Sequence, residues 1–202
     1  MKPKRNEVFL KTKEQVHLFT ETAQELFPPP SPWGTFFMQA VLSGLREGEL
    51  LRLQWGDLDL EGKLPCLSVQ RAWDREEGFV IPKSRAAFRN IPILPDVRRS
   101  LLAWKIASLD SSKCVRVFPF MGGSYHRALR HILKANPNLP KISLHALRHT
   151  FASLFANRGV PPKVLQGWTG HAKIDMTLNY YAKKMDDDTR IVEERLAGIG
   201  GV

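Results

Sequence analysis

The order of hydrophobic patterns along the chain is the feature that most restricts its fold. Helix-like patterns come first, three short β-type runs follow in the middle, and helix-like patterns occupy the remainder. The β-type runs span residues 66–70, 79–81 and 89–93, and turn or charged residues separate them. Because the strands are grouped and do not alternate with helices, the sequence predicts an α+β fold. We expect a mostly helical body with a small three-stranded antiparallel sheet.

Apolar residues at helical spacing, together with local start and stop signals, predict the helices. Thr12 and Gln15 have the form of a capping box in front of the first helix, and the prolines of residues 28–32 end it. Gly44 ends the second helix. The predicted helices cover residues 12–27, 36–42, 47–53, 96–107, 124–134, 144–158, 162–168, 176–183 and 187–196.

Composition and charge narrow the classes of protein that remain. The 202 residues are 43% hydrophobic and 25% charged, which suits one domain with a packed core. Lys and Arg number 30 against 20 Asp and Glu, so the net charge of +10 favours nucleic acid as partner over an anionic membrane surface. No apolar stretch approaches the roughly 20 residues that span a bilayer. We therefore expect a cytoplasmic protein without a membrane partner.

Several cofactor-dependent classes find no support in the sequence. The two cysteines, Cys66 and Cys114, lie far apart and form no CxxC motif, which disfavours a disulfide scaffold and a thiolate zinc site. The chain contains neither a GxxxxGK(S/T) loop nor a GxGxxG turn, so nucleotide-driven chemistry lacks its usual motif. His145 and His149 have the spacing of a zinc helix, but Ala146 occupies the position of the glutamate base. We expect no cofactor and no metal.

Two stretches in the first half carry cations suited to phosphate binding. Arg46 follows a glycine break at a predicted helix start, where a guanidinium and backbone N–H groups can converge on a phosphate. Lys83 lies in a basic turn between two predicted strands. Taken alone, each feature is more typical of a surface arginine or of a solvated hairpin tip than of a binding site.

Two stretches in the second half add histidine, arginine and tyrosine. His145 and Arg148 are three residues apart, so both project from one side of a predicted helix. Gly170 and His171 precede a helix that ends in paired tyrosines, Tyr180 and Tyr181. Such tyrosines usually serve as buried packing.

Taken together and in this order, the four stretches resemble the tyrosine recombinase (phage integrase) family. That family combines an arginine in a G-L-R-x-x-E turn, a hairpin lysine, H-x-x-R on a helix, and G-H before a nucleophilic tyrosine. The resemblance extends from about residue 8 to about residue 196. The matching positions are Arg46 with Glu49, Lys83, His145 with Arg148, and Gly170 with His171.

The resemblance implies a covalent mechanism without metal or ATP. A tyrosine attacks a DNA phosphodiester and forms a 3′-phosphotyrosyl bond, while Arg46 and Arg148 neutralise the charge that grows on the phosphate. Lys83 is the expected acid for the departing 5′ oxygen. His145 would transfer a proton near the nucleophile, and His171 would donate a hydrogen bond to the phosphate. Glu49 in the first motif would orient the arginine.

Two adjacent tyrosines compete for the role of nucleophile. Tyr180 lies nine and Tyr181 ten residues beyond His171, and both spacings occur in the family. The pattern M-T-L-x-x-Y-(A/S/G)-(H/K) places Tyr181 in register. We therefore expect Tyr181 to be the nucleophile, with Tyr180 as the second choice.

The resemblance also implies partners and a domain organisation. Double-stranded DNA is the expected partner, with a homo-oligomer, a tetramer on DNA, and accessory DNA-bending proteins. We expect residues 1–202 to form a single catalytic domain without the family's N-terminal core-binding domain, so the chain is either a catalytic-domain fragment or a short member. Residues 186–202 would form a tail helix that packs on its own domain or is exchanged with a neighbouring subunit.

Three other functions are compatible with parts of this pattern. A type IB topoisomerase uses the same tyrosine and arginine chemistry to relax supercoils. A non-catalytic DNA-binding regulator would retain the recombinase fold without the reaction. A histidine-ligated metal hydrolase has only an incomplete set of ligands in this sequence.

Overall fold

Helices are the predominant secondary structure in the part of the chain that the structure describes. The computed structural model describes residues 8–70, 72–74, 78–80, 88–120 and 123–181. None of the helices within these ranges is long and apolar enough to span a bilayer. In chain order they are α1 (Lys13–Leu26), α2 (Trp33–Ser43), α3 (Glu47–Arg52), α4 (Pro95–Ala107), α5 (Tyr125–Ala135), α6 (Leu144–Asn157), α7 (Pro162–Thr169) and α8 (residues 174–181).

These helices begin and end close to the predicted positions because local signals set their ends. The hydroxyl oxygen of Thr12 accepts a hydrogen bond from the Gln15 N–H at 3.2 Å, as the predicted cap requires. Ser143 caps α6 in the same way through the Ala146 N–H at 3.3 Å. The predicted helix over residues 187–196 and the tail over residues 186–202 lie outside the described residues.

The strands form one three-stranded antiparallel sheet and one separate hairpin. The sheet has the order β1-β2-β5, formed by β1 (Leu58–Asp59), β2 (Cys66–Val69) and β5 (Arg89–Pro92). The hairpin pairs β3 (Ala72–Asp74) with β4 (Gly78–Val80). The predicted fold class, mostly helical with a small three-stranded antiparallel sheet, is thus confirmed.

The membership of the sheet differs from the prediction. The run at residues 79–81 was expected to be the third strand, but β4 pairs with β3 and not with β2 or β5. Leu58–Asp59 supplies the third strand instead, directly after a 3-10 turn at Trp55–Asp57. A two-residue strand has no room for the alternation of apolar and polar residues by which strands are recognised, so the sequence pattern did not reveal it.

The hydrophobic core is centred on α2. The C-terminal end of this helix lies next to two of the predicted site residues, Arg46 and Arg148. Phe36, Phe37 and Val41 are fully buried, and α2 packs against α1, α4 and α6. Gly44 ends α2 with φ 66°, where a Cβ atom would collide with the ring of Phe151 on α6. The close contact between the end of α2 and the middle of α6 needs this glycine.

Candidate active site

Three arginines from three elements meet at the C-terminal end of α7. The last carbonyls of a helix lack intrahelical partners and carry partial negative charge. Each guanidinium donates a hydrogen bond to a different one of three successive carbonyls: Arg89 Nε to Trp168 at 2.8 Å, Arg148 Nη2 to Thr169, and Arg46 Nη2 to Gly170 at 2.6 Å. We call Arg46, Arg89 and Arg148 the arginine cluster.

Gly170 allows this close approach. It ends α7 with φ 64°, a left-handed conformation that favours glycine. A Cβ atom at this position would lie 3.0 Å from Nη1 of Arg89 and 3.3 Å from Nη1 of Arg46. The glycine of the G-H motif is therefore required both by the turn and by the guanidiniums packed over it.

Glu49 neutralises part of the charge in the arginine cluster. Its Oε1 accepts hydrogen bonds from Nη1 of Arg46 and Nη1 of Arg89, both at 3.0 Å. Its Oε2 accepts from Nη2 of Arg89 and from the backbone N–H of Arg46, both at 2.7 Å. Burial opposes ionisation, yet the hydrogen bonds and charge of Arg89, with those of Arg46, hold the pKa of Glu49 below its ordinary value. Glu49 is therefore ionised at neutral pH.

The guanidinium of Arg46 is hydrogen-bonded to the protein on one side and exposed to solvent on the other. It stands at the start of α3, two residues after the glycine that ends α2. Its bonds to Glu49 and Gly170 occupy one side of the guanidinium, while 47% of the side chain is exposed. An arginine has five N–H donors, so Arg46 retains donors for an anion that approaches from solvent.

Arg148 is the buried member that connects two helix ends. Only 6% of the residue is exposed, and Nη1 donates to the carbonyl of Gly44 at 2.6 Å while Nη2 reaches Thr169. Burial, followed by the nearby charge of Arg46, lowers the pKa of Arg148 to about 10. The guanidinium still carries its charge at neutral pH.

His171 is neutral at physiological pH. Burial and the charges of Arg148 and Arg46 lower its pKa to about 4. Its Nδ1 lies 2.9 Å from the hydroxyl oxygen of Thr177, which is fully buried. When the Thr177 hydroxyl donates to Nδ1, the single ring proton of His171 resides on Nε2. His171 then offers one N–H donor beside the arginine cluster, the role that the resemblance implies.

The two tyrosines of α8 point to different places. The ring of Tyr180 stacks on that of His171, with centroids 6.3 Å apart and planes 9° apart, and its hydroxyl hydrogen-bonds to Nδ1 of His149. The hydroxyl of Tyr181 donates to the backbone carbonyl of Val160, and burial raises its pKa. Successive side chains on a helix diverge by about 100°. In this structure Tyr180, the second choice, contacts the histidines, and Tyr181 is held against Val160.

The predicted site residues that the structure describes lie on neighbouring elements. Arg46, Arg148 and His171 surround the end of α7, and His145 connects to them through His149 and Tyr180. Lys83 lies outside the described residues. In the part of the chain that is described, no three His, Cys, Asp or Glu side chains are grouped to hold a metal ion.

Two residues of the site were not predicted to have a role in it. The sequence places Arg89 in a predicted strand and in the basic stretch that contains Lys83, with no role of its own. A charged residue that alternates in phase with the buried Ile91 nevertheless signals an inward-facing cation. His149 was considered only as a metal ligand, yet it contacts both His145 and Tyr180.

Comparison with known proteins adds independent information. Residues 9–187 match the model of the phage integrase family. The transposase from transposon Tn916 of Enterococcus faecalis is 33% identical over 176 residues, covering 76% of this chain and 43% of the relative. A tyrosine recombinase XerC-like protein of Caldanaerobacter subterraneus subsp. tengcongensis is 30% identical over 174 residues, covering 72% and 44%. The chain thus spans less than half the length of these curated relatives.

A solved structure supports the same relationship at the level of the fold. The Tn1549 transposon integrase, in complex with circular intermediate DNA, superposes with a TM-score of 0.69 at 29% sequence identity. The match covers 92% of this chain and 66% of that one.

Proposed function

The chain belongs to the phage integrase family of tyrosine recombinases, and from this premise we propose that it catalyses site-specific breakage and rejoining of DNA strands. The observation that carries the proposal is the arginine cluster, in which Arg46 and Arg148 donate to adjacent carbonyls at the end of α7. Two guanidiniums held this close together can bind two oxygens of one phosphate. Double-stranded DNA is the proposed substrate.

The arginine cluster suits the charge that develops during attack on a phosphodiester. As the tyrosine oxygen bonds to phosphorus, negative charge increases on the non-bridging oxygens, and Arg46 and Arg148 neutralise it from fixed positions. Glu49 and the carbonyl of Gly170 already hold the Arg46 guanidinium. The carbonyls of Gly44 and Thr169 hold that of Arg148, so little reorganisation is needed when DNA binds. Neutral His171 adds a hydrogen-bond donor without adding another positive charge.

The proposed step exchanges one phosphodiester for another. The phenol loses its proton in the neighbourhood of His145, the tyrosine oxygen bonds to phosphorus, and the bond to the 5′ oxygen breaks. Lys83 gives the departing oxygen a proton. A 5′ hydroxyl from a second strand reverses the attack and rejoins the DNA. Because the phosphotyrosyl bond conserves the energy of the broken bond, the cycle needs neither ATP nor a metal ion.

We assign Tyr181 as the nucleophile because it is in register with the family pattern. Its phenol must leave the carbonyl of Val160 and turn toward Arg46 and Arg148 before it can attack. Tyr180 is the alternative nucleophile, favoured by its contacts with His149 and His171.

Strand exchange is a better proposal than relaxation alone or binding alone. The relatives described above are named a transposase, a tyrosine recombinase and an integrase, and the integrase structure contains DNA. Exchange between two duplexes calls for a homotetramer on DNA, assisted by accessory DNA-bending proteins. In such an assembly residues 186–202 would pack on their own domain or on a neighbouring subunit.

Covalent trapping tests the proposal. The protein is mixed with supercoiled plasmid in EDTA, quenched with SDS and digested, and DNA-linked peptides are mapped by mass spectrometry. The chain has three tyrosines, so single changes to phenylalanine at Tyr125, Tyr180 and Tyr181 test all of them, with the buried Tyr125 as the control. We expect an adduct that only Tyr181→Phe abolishes.

Other outcomes of this experiment are equally informative. Loss of the adduct only in Tyr180→Phe keeps the proposed reaction and moves the nucleophile by one residue. Binding of DNA with no adduct from any variant, also with a library of nicked duplexes of random sequence, contradicts the proposed reaction.

A further inference from the structure

His149 has both ring nitrogens engaged by residues of the site. Its Nδ1 hydrogen-bonds to the hydroxyl of Tyr180 on α8, and its Nε2 lies 3.0 Å from Nε2 of His145, one turn earlier on α6. The two imidazoles meet edge to face, with centroids 4.7 Å apart and planes at 78°. A continuous chain of hydrogen bonds therefore runs from Tyr180 through His149 to His145.

These hydrogen bonds restrict which ring nitrogens of His149 and His145 carry a proton. One proton lies between the two Nε2 atoms. Two protons would clash at this distance, and without a proton the two nitrogens could not form a hydrogen bond. When the Tyr180 hydroxyl donates to Nδ1 of His149, neutral His149 carries its proton on Nε2 and donates it to His145. Neutral His145 then carries its own proton on Nδ1. While the contact lasts, the pair holds at most one positive charge.

Neighbouring charges favour this direction of donation. Arg148 lies near enough to the Tyr180 phenol for the two to interact electrostatically. The positive charge of Arg148 favours the arrangement in which the phenol proton of Tyr180 points away from it and toward Nδ1 of His149. Among the residues that the structure describes, the charged and titratable groups around His149 include His145 and Arg148 on α6, His171 after α7, and Tyr180 on α8.

We propose that His149 is a positioning residue, which holds the His145 imidazole in one orientation and in the Nδ1–H tautomer and ties it to Tyr180. His145 is exposed, so without this contact its ring would be free to rotate and to change tautomer. The inference deepens the proposed function, on which it rests for its catalytic consequence. It leaves Nε2 of His145 without a proton of its own, so that a proton released at the Tyr180 phenol can pass through His149 to His145.

If His149 served only in packing, its replacement would lower thermal stability and would not change the tautomer of His145. The core face of α6 is formed by Leu147 and Phe151, both buried, whereas His149 is only half-buried. Replacing the imidazole by a ring of similar size should leave the fold intact and remove the hydrogen bonds. The tautomer of His145 then reports on positioning, and thermal stability reports on packing.

The decisive measurement is nitrogen-15 NMR of the imidazoles in the protein without DNA. The chain has six histidines, so the ring signals can be assigned by substitution. We expect His145 to be in the Nδ1–H form in the wild type. In His149→Phe it should shift toward the Nε2–H form that free histidine prefers. The control is His131→Phe on α5, which removes a histidine that stacks on Phe27 outside the site.

A second arm measures the reaction. Single-turnover formation of the DNA adduct is followed across pH in EDTA for the wild type, His149→Phe and His131→Phe. We expect His149→Phe to slow the reaction roughly tenfold or more and to change its pH profile, because the hydrogen-bonded path from Tyr180 through His149 to His145 is lost. His131→Phe should change neither quantity. If His149→Phe does not fold, His149→Gln keeps the inference testable, because its amide can donate to Nε2 of His145 in place of the imidazole. The Nδ1–H form of His145 should then persist, and its loss in this variant would contradict the inference.

The two arms separate the inference from the proposed function. An unchanged His145 spectrum in His149→Phe overturns the inference, whatever the activity. An altered spectrum with no adduct from the wild type supports the positioning role and contradicts the proposed reaction. An altered spectrum with an unchanged rate and pH profile overturns the catalytic consequence.

Discussion

At the scale of single residues, the site depends on buried charges that are neutralised by other residues of the protein and not by solvent. Arg89 and Glu49 are both buried, and two hydrogen bonds join the Arg89 guanidinium to the Glu49 carboxylate. A sequence can indicate that Arg46 and Arg148 bind phosphate, because the residue types and their spacing fit that chemistry. It indicates the role of Arg89 poorly, because the value of a buried ion pair depends on which elements pack together.

Glu49→Gln should be strongly destabilising. The substitution keeps the shape of the side chain and removes the charge, so Arg89 is left buried without its carboxylate. We expect the free energy of unfolding to fall by about 3–5 kcal/mol, measured by urea denaturation. Asp96→Asn is the matched control, since Asp96 pairs with Arg99 at an exposed position, and its cost should stay below about 1 kcal/mol. Equal costs for the two variants would contradict this account of the arginine cluster.

His171 should make stability depend on pH in a defined window. Its pKa is about 4 in the folded protein and near 6.5 when unfolded, so between these values only the unfolded chain takes up the proton. Its contribution to the free energy of unfolding is complete above about pH 6.5 and is lost as pH falls toward 4. Denaturation curves across this range should therefore converge for wild type and His171→Gln at low pH. Parallel profiles would show that His171 titrates normally.

At the scale of elements, local signals predicted helices well and strands less well. Caps such as Thr12 and stops such as Gly44 act within one turn, so the sequence alone places the helix ends. The pairing of strands is a long-range property. Leu58–Asp59 joins the sheet because β2 and the 3-10 turn before it hold it there, and no pattern in two residues reveals that.

Two glycines at helix ends allow the backbone strain of an alanine substitution to be distinguished from the steric contacts of the added Cβ atom. Gly170 has φ 64° and Gly159 has φ 78°, so alanine is strained at both, by about 1–2 kcal/mol. At Gly170 the added Cβ also meets the Arg89 guanidinium, whereas at Gly159 nothing lies within 4 Å. We expect Gly170→Ala to lose more stability than Gly159→Ala and also to reduce adduct formation at least tenfold. Gly159→Ala should leave the reaction unchanged.

At the scale of the whole molecule, the excess of basic residues and the grouping of arginines in the fold both indicate a polyanionic partner. The net charge of +10 indicates a polyanion, and the fold gathers three of the arginines at one helix end. The order of the motifs predicted the family, which the match over residues 9–187 confirms. The position of a particular phenol could not be predicted, because one residue of register on a helix rotates a side chain by about 100°.

Binding to DNA should depend steeply on salt. If about six phosphates are neutralised, the affinity for a non-specific duplex should fall roughly a thousandfold between about 50 and about 200 mM salt. Fluorescence anisotropy over a series of salt concentrations gives the slope of the logarithm of the binding constant. A slope near zero would contradict phosphate contacts as the source of affinity.

The C-terminal end of α7 has one more consequence. Its three carbonyls present to Arg89, Arg148 and Arg46 what an anion would present, a row of electron-rich oxygens at hydrogen-bonding distance. The helix end thus serves as an internal template for the phosphate. Cations that repel one another are brought together while the chain folds, before any DNA arrives. In the proposed reaction, the scissile phosphate then meets a receptor whose shape and charge are already complete on one side.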